Sequence, residues 1–558
     1  MTTRLHSVFE RQSWVRRAAR FISGSLLSTM MVAVPAIAAE RITAFYGPLQ
    51  FSLSREALEL YATQGKITPD LAFYTKRATP QQLAQFRTLL QQRIPVSPVL
   101  VSQVTYAPLG EAILQQLGTI VQTDAGQNGF YAMRAALILA AADPTGLTLL
   151  NALRYYPTPS VRLDLAPGLA LAKDFAQKVK DRDAAIAAVQ QTATAELAAQ
   201  PAVDFSQPPD LRQPGSTRWQ RQTFSLHDPS RDRTVPVDLY LPTSAAASTT
   251  HPSVPLVVIL HGAASDRSTF AYIATQLASY GFAVAVPESP GNSSQRFQQF
   301  LAGRADPPDV AELVNQPLDV KRLLDDLQRR SQTDPLLRSL NLQQVGVMGH
   351  SQGGYAALAL AGAPLNREQL QHDCSDHQSL NIPRLVQCQA LELPPVPEDL
   401  RDDRVKAVLA VSPVTSSILG RAGLSQITVP VMLLAGSADI VTPALPEQIR
   451  PFTWLTTRDR YLALIENGTH FSPLGGSAND PGALRIPPAF AGPDPAIART
   501  YLRALSVAFF QTYIANQTAY RPYLSAAYAG YLSQQPLRLS LIQSDQRLEA
   551  LDHHQDAR

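Results

Sequence analysis

The chain has 558 residues, of which 45% are hydrophobic and 17% are charged. Its length predicts about three to four domains at roughly 150 residues each, or fewer if one of them is a large α/β unit. This composition argues against an intrinsically disordered protein and against a protein with many membrane spans. The formal net charge is +3, but without residues 1–39 the chain keeps 43 basic and 44 acidic side chains. No surplus of positive charge therefore remains for binding nucleic acid.

Residues 1–39 have the order of a secretory signal peptide. A stretch with five arginines precedes an apolar run from Phe21 to Val34, and small residues follow in Ala36-Ile37-Ala38-Ala39. The apolar run, about 14 residues long, is short for a membrane span, which needs about 20. We expect cleavage near Ala38 or Ala39, an exported protein that is periplasmic or extracellular, and no stable membrane span after processing. An uncleaved anchor or an ordinary core helix is the alternative.

Residues 40–165 are predicted to form a mainly helical N-terminal domain. Residues 41–53 alternate around Gly47-Pro48 like a hairpin, and Ser54 and Gly65 fit the start and the end of one helix. The pairs Thr79-Pro80 and Asp143-Pro144 each predict a further helix start.

Catalysis is not expected in this N-terminal domain. Between His6 and His227 the chain has no histidine, so the commonest general base and transition-metal ligand is missing. The alanine-rich segment that follows, within 166–213, is predicted to be a helical connector.

Residues 214–517 alternate between strand-like and helix-like periods. This alternation predicts a doubly wound and mostly parallel α/β sheet. The segment 364–403 lacks this rhythm and is interpreted as an insertion and a candidate lid, and 518–558 is expected to be a C-terminal tail. Strands are predicted over 220–226, 235–241, 256–260, 282–286, 345–348, 405–411, 431–434 and 461–465. Helices are predicted over 270–277, 320–327 and 353–361, and from 494 onward.

The two cysteines, Cys374 and Cys388, lie 14 positions apart in one hydrophilic segment. In an oxidising compartment we expect them to form a disulfide, which would stabilise the fold by about 3 kcal/mol. The alternative is a pair of free, buried thiols. Two cysteines alone cannot build a structural zinc site.

The segment Gly349-His350-Ser351-Gln352-Gly353 fits the pattern G-x-S-x-G between a predicted buried strand and a predicted helix. This context is typical of a nucleophile elbow, a strained turn that projects a serine hydroxyl above the sheet. The glycines two positions away are needed because a Cβ there would clash. Ser351 is therefore the predicted nucleophile, and a glycine-rich turn with a capping serine is the alternative.

A serine hydroxyl needs an imidazole base, and that imidazole needs an orienting carboxylate. In this fold the chain order is serine, acid, histidine, with the partners in loops after later strands. Among the later histidines, His470 alone follows a predicted strand closely, and it is the predicted base. His372 and His377 lie in the insertion, and His553 and His554 lie in the tail.

Asp439 is the predicted acid because it follows a strand through a short turn. Asp403 precedes its strand, and Asp459 lies in a charged loop before the last strand. Glu466 is only four residues from His470 and is expected to face solvent.

Backbone N–H groups must also stabilise the oxyanion of the tetrahedral intermediate, each contributing roughly 3 kcal/mol. The N–H of Gln352 is one predicted donor. The other is expected in the turn His261-Gly262-Ala263-Ala264, where Ala263 is preferred and Gly262 is the alternative. His261 is expected to order this loop rather than to transfer protons.

Together these residues resemble the α/β-hydrolase superfamily over about 215–515. Within it the chain is most similar to dienelactone hydrolases and plasma-type platelet-activating-factor acetylhydrolases, although Gln352 replaces the usual aromatic of the acetylhydrolases. The resemblance implies hydrolysis of carboxylic esters, with short acyl groups on lipids as one substrate class. Residues 40–165 resemble a domain of unknown function attached to predicted bacterial hydrolases, on the following matches: Tyr46-Gly47-Pro48, Pro95-Val96-Ser97-Pro98 and Asn128-Gly129-Phe130-Tyr131.

The sequence thus predicts an exported serine esterase whose substrate is a small-molecule or lipid ester. No metal or organic cofactor is expected, and the sequence identifies no protein partner. An acyltransferase or a peptidase with the same triad is one alternative. A non-catalytic binding protein on a hydrolase fold is another.

Overall fold

The computed structural model describes residues 38–548, apart from residues 77, 208, 244–253, 376–380, 395–398, 476–485 and 487. The predicted signal peptide lies outside the described residues, except for Ala38 and Ala39. Within the described residues, no helix combines the length and the apolar character needed to cross a membrane. By their contacts the residues form two compact units, one of residues up to Pro95 with Val121–Leu163, and one of Val96–Ile120 with the chain from Asp164 onward.

Thirteen strands are found among the described residues. They are β1 (Arg41–Tyr46), β2 (Leu49–Ser54), β3 (Val121–Gln122), β4 (Ser160–Asp164), β5 (Trp219–Asp228), β6 (Arg233–Pro242), β7 (Val254–Leu260), β8 (Ala283–Pro287), β9 (Leu340–His350), β10 (Val405–Val411), β11 (Val431–Gly436), β12 (Arg460–Ile465) and β13 (Leu539–Ile542).

The α-helices of the described residues are numbered in the same chain order. They are α1 (Arg55–Gln64), α2 (Pro69–Thr75), α3 (Pro80–Gln91), α4 (Pro98–Tyr106), α5 (Pro108–Ile120), α6 (Phe130–Ala142), α7 (Leu149–Arg154), α8 (Leu165–Ala199), α9 (Ala271–Ser279), α10 (Ser294–Leu301), α11 (Glu312–Arg330), α12 (Pro335–Arg338), α13 (Gln352–Leu360), α14 (Arg367–Cys374), α15 (Ile382–Cys388), α16 (Gly420–Leu424), α17 (Arg450–Trp454), α18 (Pro488–Ala491), α19 (Pro495–Tyr513) and α20 (Ala526–Leu532).

The first unit is a four-stranded sheet in the order β2-β1-β4-β3 with helices α1 to α3, α6 and α7. The predicted hairpin is present as the antiparallel pair β1 and β2. Ser54 caps α1 by accepting a hydrogen bond from the Ala57 N–H, and Gly65 ends the helix at φ 70°. Thr79 caps α3 in a reciprocal capping box with Gln82.

The predicted helix start at Asp143-Pro144 is wrong. Helix α6 ends here instead, and the Asp143 carboxylate accepts the Thr145 N–H at 2.8 Å in a tight turn that continues to Gly146 at φ 81°. The next helix begins later, where the Thr148 side chain accepts the Asn151 N–H at 3.0 Å. An aspartate followed by proline is compatible with both a turn and a helix start, so the pair alone does not separate them.

The second unit contains a nine-stranded sheet in the order β13-β12-β11-β10-β9-β7-β8-β6-β5. The six central strands, β12-β11-β10-β9-β7-β8 in the order of the sheet, pair parallel. At the two edges β5, β6 and β13 pair antiparallel. The central strands are buried on both faces, as their continuous apolar runs predict. The predicted α/β fold class is therefore confirmed.

Two features of the second unit differ from the predicted domain boundaries. Residues 518–558, expected as a tail, include α20 and the edge strand β13, which pairs with β12. Helices α4 and α5 group with the second unit although residues on both sides of them in the chain belong to the first.

The insertion between β9 and β10 contains α14 and α15, joined by a disulfide between Cys374 and Cys388 whose Cα atoms are 5.8 Å apart. Gln387 of α15 is buried, and its amide nitrogen donates to Glu447 at 2.9 Å. Its amide oxygen accepts the N–H groups of Ser417 and Ile418. The insertion is thus fixed to the loop after β10.

Candidate active site

The predicted nucleophile lies in a sharp turn between β9 and α13. Ser351 has φ 56° and ψ −119°, a backbone conformation that residues other than glycine rarely adopt. Its N–H donates to the carbonyl oxygen of Val411 at 2.9 Å, which fixes the turn to the neighbouring strand β10. Strain held by the surrounding structure in this way is typical of functional positions.

The two glycines of the motif are required by close backbone contacts. A Cβ at Gly349 would lie 1.9 Å from the carbonyl oxygen of Gly353. A Cβ at Gly353 would lie 2.5 Å from the carbonyl oxygen of Leu260, at the end of β7. Substitution at either position would therefore displace backbone at the turn.

His470 and Asp439 form a buried pair in loops that follow β12 and β11. The Nδ1–H of His470 donates to Asp439 Oδ2 at 2.8 Å, and the aspartate side chain is fully buried. The loops approach closely because Gly436 and Gly468 lack side chains, since a Cβ on Gly436 would lie 2.4 Å from the Gly468 carbonyl oxygen. A histidine oriented through Nδ1 in this way keeps Nε2 available for proton transfer.

The Asp439 carboxylate is held by its own loop. Its Oδ1 accepts the N–H groups of Val441 and Thr442, both at 2.8 Å, and the Thr442 hydroxyl lies 2.9 Å from Oδ2. Burial alone would raise the pKa of Asp439, but the neighbouring His470 and the hydrogen bonds from His470 and Thr442 outweigh it and lower the pKa. The carboxylate therefore stays ionised beside the imidazole.

The residue before the nucleophile connects the two predicted catalytic loops. His350 Nε2–H donates to the carbonyl oxygen of His470 at 3.0 Å, and the two rings lie 4.6 Å apart. The structure thus brings His470 next to the turn that carries Ser351. The Ser351 residue is partly exposed, whereas His470 is buried.

One predicted oxyanion donor lies in this turn, and the other lies in the loop after β7. As the first residue of α13, Gln352 has no acceptor for its N–H within the helix. In the loop after β7, Ala263 is exposed, whereas Ala264 at φ 58° donates its N–H to the Asn292 carbonyl oxygen at 2.8 Å. A Cβ on Gly262 would lie 2.9 Å from the Ser351 Cβ, so this loop passes directly beside the predicted nucleophile.

His261 is fully buried and orders this loop. Its Nδ1–H donates to the Gly262 carbonyl oxygen, and its Nε2 accepts the Ser289 N–H at 2.9 Å. The Gln316 amide of α11 donates to the His261 carbonyl oxygen at 2.9 Å. Burial lowers the pKa of His261, which fits a neutral ring that accepts a hydrogen bond.

Two family models match the chain. One is described as alpha/beta hydrolase of unknown function (DUF1400) and matches residues 38–164. The other is described as platelet-activating factor acetylhydrolase, isoform II, and matches residues 234–308, from β6 to just beyond α10. The resemblance to α/β-hydrolases is confirmed. Comparison with curated proteins gives no match.

Both matches support a hydrolase. The acetylhydrolase match includes the loop of residues 261–264, which carries the predicted oxyanion donor Ala263, and ends before the segment that carries Ser351, Asp439 and His470. These three side chains therefore rest on the geometry described above.

Three residues of this site were missed at the level of sequence. Thr442 and Gln316 contact the site through the fold, and no motif marks them. His350 does lie within the G-x-S-x-G segment, but its contact with the His470 loop depends on how the two loops meet above the sheet. The one signal available in the sequence was a histidine directly before the predicted nucleophile.

Proposed function

We propose that this protein is an exported serine hydrolase that cleaves carboxylic esters through Ser351, His470 and Asp439. The observation that carries the proposal is the position of a strained serine at a strand-to-helix turn, joined through His350 to the loop of a buried histidine–aspartate pair. Short-chain esters, including acyl groups on lipids, are the proposed substrates.

In the first half of the reaction, Ser351 Oγ attacks the ester carbonyl carbon while its proton passes to His470 Nε2. The carbonyl oxygen becomes an oxyanion that accepts hydrogen bonds from the N–H groups of Ala263 and Gln352. The bond to the alkoxy group then breaks, and that group leaves as an alcohol with the proton from His470. The acyl group remains on Ser351.

In the second half, a water molecule attacks the acyl-enzyme. His470 takes one proton from the water, and the new tetrahedral intermediate collapses to a carboxylic acid. The same proton returns to Ser351 Oγ. Asp439 holds the imidazole in the required tautomer and stabilises its protonated form in both halves.

The test compares the wild-type protein with Ser351→Ala on p-nitrophenyl butyrate. We expect the variant to lose ester cleavage while its melting curve stays nearly unchanged, and we expect EDTA to leave the wild-type rate unaffected. A fluorophosphonate probe should label the wild type and fail to label the variant. Undiminished cleavage by Ser351→Ala would reject the assignment.

Amide substrates and alcohol acceptors distinguish the alternatives that use the same triad. Faster cleavage of a matched amide would indicate a peptidase, and a new ester formed with an added alcohol in preference to hydrolysis would indicate an acyltransferase. A wild-type protein that no fluorophosphonate labels would instead favour a binding protein.

Export is proposed from the order of residues 1–39, together with the disulfide between Cys374 and Cys388, which is compatible with an oxidising compartment. N-terminal sequencing of the protein recovered from its native cell tests this part. A mature end near Ala39 supports export, and an intact Met1 contradicts it.

A further inference from the structure

The helical hairpin of α4 and α5, Pro98–Ile120, packs on two elements of the second unit that lead to the candidate site. Helix α4 packs against α10, and α5 packs against α15. The first contact is close, because a Cβ on Gly303, just after α10, would lie 3.1 Å from Val99 Cγ1 and 3.4 Å from Gln103 Nε2.

Helix α10 begins beside the residues that directly follow the turn 261–264, which carries the predicted oxyanion donor Ala263. The Ser294 N–H donates to the Ser265 carbonyl oxygen at 2.9 Å, and the Ser294 hydroxyl donates to Asp266 at 2.8 Å. An eight-residue helix is about 12 Å long, so the far end of α10, where α4 packs, lies about one helix length from these contacts. The hairpin thus packs on a helix that is hydrogen-bonded next to the turn of the predicted oxyanion donor Ala263.

Helix α15 gives support from the acid side. Gln387 of α15 binds the backbone of Ser417 and Ile418, in the loop after β10. The same loop lies beside the proposed acid, because the Thr442 hydroxyl is 2.9 Å from Asp439 Oδ2 and 3.1 Å from the Ser412 carbonyl oxygen, within donating distance of either. The two helices of the hairpin therefore rest on elements tied to the two sides of the catalytic residues.

The hairpin is almost free of charge. Of its 23 residues, only Glu111 carries a charged side chain. Leu114 is buried, but other apolar side chains of the hairpin are not, with Val104 45% and Tyr106 60% exposed. Apolar side chains are also exposed beside the catalytic loops, at Ile440, which follows Asp439 and is 67% exposed, and at Phe490, whose carbonyl oxygen accepts the Thr469 hydroxyl.

From this arrangement we propose that the hairpin Pro98–Ile120 covers the proposed active site, as a roof, and contacts the acyl chain of the ester bound at Ser351. This inference rests on the proposed esterase function and adds a substrate class, esters whose acyl group is an uncharged alkyl chain longer than acetyl. An apolar chain between the hairpin and the rim of the site would remove apolar surface from water, at about 25 cal/mol per Å².

A photocrosslinking experiment on the full chain tests this placement directly. Alkyl fluorophosphonates with a diazirine at the end of a four-, eight- or twelve-carbon chain are attached to Ser351, irradiated, and mapped by tandem mass spectrometry after trypsin digestion. Trypsin releases the hairpin in one peptide, because no lysine or arginine lies between Arg93 and Arg134. We expect crosslinks to this peptide within Pro98–Ile120 for at least one chain length.

The outcomes separate the two proposals. Labelled Ser351 with crosslinks only outside Pro98–Ile120, at every chain length, would overturn the roof and leave the esterase proposal intact. No labelling of Ser351 by any of the probes would contradict the proposed function itself.

An alanine scan of the hairpin supplies the second measurement. Its large apolar residues are replaced one at a time, and kcat/KM is compared for p-nitrophenyl octanoate and acetate. We expect at least one variant to lower the octanoate-to-acetate ratio about tenfold while cleavage of acetate stays within about twofold. The matched control is Leu139→Ala, an exposed leucine of α6 in the first unit, which should leave the ratio unchanged. An unchanged ratio in every hairpin variant would also overturn the inference.

Discussion

The Nε2–H of His350 donates to the carbonyl oxygen of His470 at 3.0 Å, so the residue before the proposed nucleophile holds the loop of the proposed base. Burial and the neighbouring His470 lower the pKa of His350 to about 3. The ring is therefore neutral at neutral pH, and its role in the proposed mechanism is positional. The His350 ring fixes the backbone of His470, the proposed base.

This buried histidine predicts a loss of stability in acid. The pKa of His350 is about 3 in the folded protein and 6.5 in the unfolded chain, so between these values only the unfolded chain binds the proton. The stabilising contribution is complete above pH 6.5 and is lost as the pH falls toward 3. Between pH 7 and pH 4.5 this amounts to about 2 to 3 kcal/mol.

The variant His350→Gln removes the titration while its amide can still donate to the His470 carbonyl. We expect the free energy of unfolding, measured with urea at pH 7 and pH 4.5, to fall less in this variant than in the wild type. His227→Gln, at an exposed position of β5, is the matched control and should behave as the wild type does. An equal acid loss in His350→Gln and the wild type would contradict the prediction.

The backbone strain at Ser351 predicts that glycine stabilises this position. At φ 56°, glycine relieves strain of about 1 to 3 kcal/mol, which exceeds the entropy that it adds to the unfolded chain. Both Ser351→Gly and Ser351→Ala should be inactive, but the glycine variant should be more stable by about 1 kcal/mol in urea unfolding.

Ser375 offers the matched pair for this comparison, since it has an ordinary φ of −71°. There the alanine variant should be the more stable one, because glycine gains nothing from a left-handed conformation. The same order of stabilities at Ser351 and at Ser375 would show that the turn at Ser351 is unstrained.

The variant Asp439→Asn should lose about 10³ to 10⁴ in kcat, by analogy with other serine hydrolases. The amide oxygen would keep the backbone N–H groups of Val441 and Thr442, and the NH₂ group would then face His470 Nδ1. The imidazole would have to carry its proton on Nε2, where it could no longer accept the proton of Ser351.

The control for this variant is Asp403→Asn, whose carboxylate is exposed on the chain just before β10. It should retain wild-type kcat and the wild-type rate of fluorophosphonate labelling. A comparable loss in the control, or a loss below tenfold in Asp439→Asn, would remove Asp439 from the proposed triad.

Removing the disulfide should loosen the insertion. Replacing Cys374 and Cys388 together by serine should lower stability by about 3 kcal/mol in the chain-entropy description. Hydrogen exchange should accelerate in α14 and α15, and dithiothreitol should reproduce this effect in the wild type but not in the variant. Unchanged exchange in these helices after reduction would contradict the prediction.

Two kinds of element could be predicted from the sequence. One is a strand that is buried along its whole length, and the other is a helix whose ends are marked by residues close to it in the chain. The strand Val254–Leu260 is an apolar run because both faces are buried, and Ser54 and Gly65 mark a helix whose ends are fixed by local hydrogen bonds. Strand Leu539–Ile542 was missed because four residues carry little pattern, and its pairing depends on the position of β12.

The predicted site residues follow from motif spacing and chain order, which local sequence carries. The supporting residues do not, because Thr442 contacts His470 and Gln316 contacts His261 only after distant elements have packed. The grouping of α4 and α5 is of the same kind. The sequence predicts a mainly helical region here, but the core on which each helix packs is decided by tertiary contacts.

Because Pro98–Ile120 belongs to the second unit, the N-terminal part of the chain cannot be separated from the rest without dividing that unit. A protein shortened to begin at residue 166 would keep Ser351, Asp439 and His470 but would lack a hairpin that packs on its own catalytic unit. Recombination at that boundary would transfer the proposed active site without this hairpin. The N-terminal region and the nine-stranded sheet are therefore expected to be inherited together.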